Sequence, residues 1–453
     1  MTMLQLARRS LRHRTGDFVA SFLAMFLGAA ILMSFASMLD TSGGSGVDDA
    51  SEETLLNMGT IVGGWGLLLV VFAVASTLTL AVRRRAAETA LLKSVGATPA
   101  QIGRMIVGET VALALIAAAL AVPVGLLGGR ALLALLKDGD QVAGGVDHVF
   151  GPIAIGMGLG ITLCSSVIAA LITTRRATRV RAAQASTDAE VDTGRMGRGR
   201  VIGGWAAFAV AALLVTLTAT VMHGKGADAM QTAGSSSIIA SISLALFAPW
   251  LIRRITALVA GPLERRGVTG HLAATNLRRR THRLAGAMTP IIAFVGIGTG
   301  TFHMVAIDNA AASAEGLVKT NEQRNIETLN FVVVGMVVLF ACIMLINTLV
   351  ATTTHRRREF GQTRLVGATP RQVLRVVAIE STVLAAGGIV LGLIAGLATI
   401  LPFNYARTDT ALPDFAPWIW PTFAVVAIAV TFAAALGTAR RVVRPAAIEA
   451  LAA

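Results

Sequence analysis

Two carboxylates, Glu109 and Glu380, stand about three turns into apolar helices, each behind the same run of residues. Arg83, Arg84, Arg85 and Glu88 precede the first, followed by Val95-Gly96-Ala97-Thr98-Pro99-Ala100-Gln101 and Arg104. The second copy lies 271 positions later: Arg356, Arg357, Arg358 and Glu359, then Val366-Gly367-Ala368-Thr369-Pro370-Arg371-Gln372 and Arg375. The chemistry open to these groups is ionic recognition. An ionisable group at the inner edge of a bilayer is costly unless it is paired or snorkels, and the arginines ending each preceding span are within reach. Such a pair either fixes the angle between two helices or rearranges when something outside pushes on it. The remaining arginines suit an acidic protein surface.

Bond-making chemistry has no residues to carry it. The chain holds no G-x-x-x-x-G-K-[ST] phosphate loop, no nucleophile elbow and no H-E-x-x-H pair. His13, His271, His282 and His355 are scattered without metal-ligand spacing. We therefore expect no catalytic, cofactor or metal site on this chain, and any energy source must be another polypeptide.

Local rules read the two repeated segments in detail. Gly96 and Gly367 stand where a helix through 85–95 or 356–366 should end, glycine being favoured just past a helix terminus. Thr98 and Thr369 then act as N-caps, Pro99 and Pro370 take the first helical position, and Gln101 and Gln372 reach back to complete a capping box. Each segment predicts a helix, a two-residue reversal and a new capped helix entering the membrane.

The elements that must hold them are membrane spans. The 453 residues are 55% hydrophobic and 14% charged, with a mean hydropathy of +0.71. Apolar runs of 18 or more residues read as spanning helices, and ten occur, near 18–39, 60–82, 105–131, 151–173, 201–222, 237–257, 284–305, 331–354, 376–401 and 418–439. The fold class is an all-α polytopic membrane protein. With the N-terminus in the cytosol, inner segments carry 33 Lys/Arg against 10 Asp/Glu and outer segments 6 against 15. That asymmetry places both termini inside. The net charge of +14 flanks helices without interleaved aromatics, so nucleic acid is not an expected partner. Scarce lysine with abundant arginine, alanine and glycine suggests a GC-rich bacterial genome, hence a bacterial plasma membrane. Cys164 and Cys342 lie within spans and read as packing residues. His303 reads as a satisfied interfacial histidine, Asn347 and Thr348 as interhelical hydrogen-bonders, and Pro123 and Pro290 as kinks.

The duplication reaches further. Leu6–Arg12 before the first span corresponds to Leu272–Arg278 before the seventh, and Arg176–Ala183 after the fourth to Arg440–Ala447 after the tenth. The chain divides into a four-helix unit at 1–195 (spans 1–4), an inserted pair at 196–262 (spans 5–6) and a second four-helix unit at 263–453 (spans 7–10). Both units begin and end inside, so the repeats are parallel. Of the connections, Asp40–Gly59 is acidic and Gly/Ser-rich and reads as flexible until Glu52 and Glu53 start a helix. Residues 307–330 read as helical extension and 188–200 as a flexible linker.

This arrangement resembles the FtsX-like permease family of ATP-binding-cassette systems, also called the macrolide-exporter or type VII architecture. The resemblance rests on R-R-R-x-x-E through V-G-A-T-P-x-Q to the final glutamate, present as Arg83–Glu109 and, with Gln362 and Thr363 departing, as Arg356–Glu380. Asn276-Leu277-Arg278 and the tail at 444–451 add to it. The ten-span layout is most similar to bacitracin-export permeases, in which one chain carries both units and binds two ATPase subunits. The large outer domain common in the family is absent, because only about 20–25 residues are available at either place. The resemblance implies that 85–104 and 356–375 are coupling elements seated on two ATPases. It further implies export or extraction of a hydrophobic or amphipathic compound, lipid or antimicrobial peptide. The alternative is a non-transporting regulator or sensor that signals to a partner protein. An ion-coupled transporter ranks last, for want of mid-span charges.

Overall fold

The structure, a computed structural model, describes residues 15–62, 95–179, 196–226, 229–315, 356–410 and 416–444, with isolated positions between 328 and 353. Among the described residues the secondary structure is entirely helical, and eight helices are long and apolar enough to cross a membrane. The other two expected spans, near 60–82 and 331–354, fall largely outside the described residues, as do Arg83, Arg84, Arg85 and Glu88.

By contacts the chain forms two compact units, one of the described residues in 1–191 and 320–336, the other of those in 192–319 and 337–453. The first contains α1 (Thr15–Ser42), α2 (Asp49–Asn57), α3 (Pro99–Asp138) and α4 (Pro152–Arg179). The second contains α5 (Arg198–Thr220), α6 (Ala229–Glu264), α7 (Gly267–Arg279), α8 (Thr281–Ala314), α9 (Arg357–Leu365), α10 (Pro370–Thr408) and α11 (Ile419–Val443). At 1.5 Å per residue, α3 with 40 residues and α10 with 39 are each about 60 Å long. That is about twice the hydrocarbon thickness, so both run well past the expected spans into water.

Hydropathy could not tell the lipid-facing from the buried faces, because nearly every position is apolar; packing separates them. Over its most apolar stretch α8 is 83% buried whereas α5 is 17% buried, which puts α8 at the centre of the second unit and α5 at its rim. Lipid supplies no hydrophobic drive between spans, so close backbone approach must hold them. Gly388, Gly392 and Gly396 of α10 face Ile291, Val295 and Thr299 of α8. A Cβ added at these glycines would lie 2.7, 2.6 and 2.5 Å from those side chains. The first unit repeats this contact. A Cβ on Gly125 of α3 would meet Met33 at 2.7 Å and the Ala30 carbonyl at 3.3 Å. The matching Gly396 meets Thr299 at 2.5 Å and the Gly296 carbonyl at 3.3 Å. The register shifts, 271 for the glycine helix and 266 for its partner, are those read from the sequence motifs.

Prolines inside the spans free backbone carbonyls that lipid cannot satisfy. Pro402 leaves the Ala398 carbonyl of α10 without its helical donor, and the Ser236 hydroxyl of α6 donates to it at 2.7 Å. Pro249 does the same to Ala245 within α6, where Arg200 of α5 donates at 2.9 Å and also binds the Leu246 carbonyl at 2.7 Å. Neighbouring helices thus tie α5, α6 and α10 together at their proline positions.

The 40–59 connection departs from the flexible reading. Helix α1 continues to Ser42, and α2 begins at Asp49, with the Asp48 carboxylate capping the Ser51 amide at 3.3 Å and Asp49 and Glu52 in the first turn. Leu55 and Met58 are fully buried against Phe35, Met38 and Leu136. The acidic residues are therefore the start of an anchored helix. Asp40 in turn accepts from the Ile153 and Ala154 amides at 3.1 and 2.7 Å, capping α4.

Candidate functional site

The second repeated segment is fully traced by its backbone hydrogen bonds. Helix α9 ends in a Schellman motif: the Gly367 amide donates to the Arg364 carbonyl at 3.0 Å and the Ala368 amide to Thr363 at 3.1 Å. Gly367 sits at φ +103°, a conformation that costs any side-chain-bearing residue strain. Thr369 then accepts from the Gln372 amide at 3.3 Å while Gln372 Oε1 accepts from the Thr369 amide at 2.8 Å. The first segment has the same restart. Gly96 lies at φ +98°, and the Thr98–Gln101 box closes at 3.3 and 2.9 Å. Pro99 and Pro370 occupy the first turn in both.

At the tip of each reversal stands a valine. Val366 is 91% exposed and Val95 81%, the two most exposed large apolar side chains among the described residues. They occupy the same position in the two copies, 271 residues apart. Arg104, Arg371 and Arg375 are exposed in the first turns of the capped helices that follow. Two apolar tips on rigid, separately capped turns are surface that a binding partner would bury.

Behind the second tip lies a polar network. Glu380, 5% exposed on α10, accepts from Arg356 through both terminal guanidinium nitrogens, the Nη2–Oε1 contact being 3.1 Å, and from Asn276 Nδ2 of α7 at 2.8 Å. Arg356 also reaches Glu359 Oε2 at 3.4 Å and lies over the Phe360 ring, 4.8 Å from its centroid. Glu359 is held in addition by Arg280 at 2.5 Å. Two cations and two carboxylates thus form a neutral cluster joining α7, α9 and α10. Burial pushes the Glu359 carboxyl up, but Arg356 and Arg280 outweigh it and hold the group below its ordinary range. Burial likewise pulls Arg356 down, and Glu380 and Glu359 reverse that. A cavity of about 50 Å³ bordered by Thr353, Arg356, Glu380 and Ser381 adjoins the pair, room enough for water.

The segments therefore resolve into two groups. Arg356, Glu359 and Glu380 converge, whereas Gly367, Thr369, Pro370 and Gln372 form the turn and Arg375 points to solvent. Arg357 and Arg358 fall in α9, and their side chains lie outside the described residues. Glu109 is buried on α3 to the same 5% as Glu380. Asn276 and Arg280 were missed as members of the network, and the valines as the exposed tips. The valines could have been found, since they repeat in register.

His303 is 2% exposed and fully engaged, its Nδ1 with the Thr299 carbonyl at 2.8 Å and its Nε2 accepting from Trp420 Nε1 at 2.5 Å. Cys164 and Cys342 are free thiols. Among the described residues no cluster of His, Cys, Asp and Glu could hold a metal ion.

A family model described as FtsX-like permease C-terminal matches residues 60–179 and 331–446, just over half of the chain. Each matched stretch contains one of the two repeated segments, 83–109 or 356–380. No curated protein matches the chain.

Proposed function

The chain belongs to the FtsX-like permease family, and from that premise we propose that it is the membrane-spanning subunit of an ATP-binding-cassette exporter. It extracts or exports a hydrophobic or amphipathic compound, lipid or antimicrobial peptide. The observation carrying this reading is the pair of reversals with matching caps and a matching exposed valine. Each reversal receives one ATPase subunit, and ATP and magnesium stay on those partners. In this reading the units 1–195, 196–262 and 263–453 are the working parts, and both termini face the cytosol of a bacterial cell.

The ion-pair cluster gives the second reversal its mechanical role. A push on α9 reaches α10 through Arg356–Glu380 and α7 through Arg280–Glu359, without disturbing the caps. Reversing the exposed Arg104, Arg371 and Arg375 to glutamate should abolish co-purification with a separate ATPase. Retention of the ATPase by that variant would remove the docking claim. Substrate-dependent flux in proteoliposomes containing both subunits supports export. ATP hydrolysis without flux, alongside stable capture of a third membrane protein, supports the regulator reading instead.

A further inference from the structure

The inner end of α6 carries a surface that the permease reading does not use. The apolar run of α6 is closed by the Arg253–Arg254 pair, one turn past Trp250. Trp250, half exposed, thus reaches the lipid–water boundary, where indole rings concentrate. The Arg254 guanidinium stacks over it, 5.5 Å from the ring centroid. Arg253 and Arg254 are exposed at this level, and Arg265 and Arg266 follow at the turn into α7. Residues 250–280 hold seven arginines and a single acid, Glu264, which is engaged by Arg278 at 2.9 Å. Among these cations Leu258 is 78% exposed and Val268 72%.

Positive charge alone would satisfy the rule that basic residues stay inside. It does not account for an exposed tryptophan stacked by arginine, nor for two large apolar side chains set among cations. The inner end of α11 offers the contrast: Arg440, Arg441 and Arg444 are exposed there, and among the described residues of that helix's last three turns no aromatic is exposed.

We propose that this end of α6 is a binding site for an anionic phosphoglyceride. The lipid phosphate is bound by Arg253 and Arg254, an acyl chain lies along Ile242 and Trp250, and Leu258 and Val268 rest at the glycerol boundary. Charge complementarity selects the headgroup, and the stacked Trp250 holds one guanidinium in a phosphate-facing pose. The proposal requires only that α6 crosses a membrane, and it stands or falls separately from ATPase docking.

Native mass spectrometry of the full chain, titrated with phosphatidylglycerol or phosphatidylcholine, tests it. Wild type should bind phosphatidylglycerol at least tenfold more tightly. With an arginine near the surface worth about fivefold in affinity, Arg253→Gln/Arg254→Gln should weaken phosphatidylglycerol binding about 25-fold and leave phosphatidylcholine unchanged. Arg440→Gln/Arg441→Gln should change neither. Trp250→Leu, which keeps every charge, should still lose severalfold, and this covers the case in which the double variant does not fold. Equal losses at the two arginine pairs, or no headgroup preference, would overturn the proposal. So would unchanged lipid affinity with loss of ATPase co-purification, which would assign the face to a protein.

Discussion

Truncating the exposed tips, Val95→Ala with Val366→Ala, separates recognition from folding. Each change removes two methyl groups, worth about 0.8 kcal/mol apiece when buried, or about 1.6 kcal/mol per site. That corresponds to roughly a 15-fold loss of ATPase affinity at each reversal. Because Val366 and Val95 are 91% and 81% exposed in the free chain, its own melting temperature should stay within about 1 °C, surface changes being near neutral. The assay is binding of the purified ATPase to the detergent-solubilised chain, beside a thermal melt of the chain alone. Single variants should lower the stoichiometry from two towards one at intermediate ATPase concentration, and the double variant should abolish binding there. Affinity within twofold of wild type would refute the reasoning. A large drop in melting temperature would do so too, by showing that the valines serve the fold.

Other perturbations address the interior. Glu380→Ala leaves Arg356, whose side chain is only 11% exposed, with the 3.4 Å contact to Glu359 as its remaining carboxylate partner, and should destabilise the second unit by up to about 3–5 kcal/mol. Arg356→Met with Glu380→Leu should recover most of that in a double-mutant melt. Gly392→Ala places a Cβ 2.6 Å from Val295 and should cost about 1–3 kcal/mol, whereas Gly437→Ala, with nothing within 4 Å, should be neutral or stabilising. Ser236→Ala should cost about 1 kcal/mol beside Pro402 and almost nothing once Pro402→Ala restores the helical donor. Acid should weaken the cluster at α9. The Glu359 carboxyl titrates below its unfolded value of 4.5, so the unfolded chain binds more protons and stability falls as pH drops through and below that value. Melts between pH 7 and pH 3.5 should show the loss, and Glu359→Gln should reduce the slope.

The parts legible in the sequence were those governed by near neighbours. Thr98 and Gln101, or Thr369 and Gln372, are three apart, and the caps follow from residue type alone. Span existence was equally plain, because about 20 apolar residues have few soluble alternatives. Partners distant in sequence were hidden. Asn276 is 104 positions from Glu380 and Arg280 is 79 from Glu359, and among 35 arginines no local rule singles out Arg280. Which face of α8 meets α10 was invisible for another reason: in lipid an inward side is marked by smallness, not by apolarity. Gly388, Gly392 and Gly396 carried that signal at four-residue spacing. The start of α2 was placed at Glu52 rather than Asp49 because composition outweighed the Asp48 cap.

The seam between α8 and α10 has a mechanical consequence. With each glycine seated over one opposing side chain for more than two turns, the two rods cannot slide past each other without losing every such seat at once. At the far end Arg407 of α10 grips Asp308 of α8 at 3.2 Å. A tug delivered beside Thr369 is therefore conveyed along a stiff double lever to the opposite surface, and any yielding must occur in the members around it.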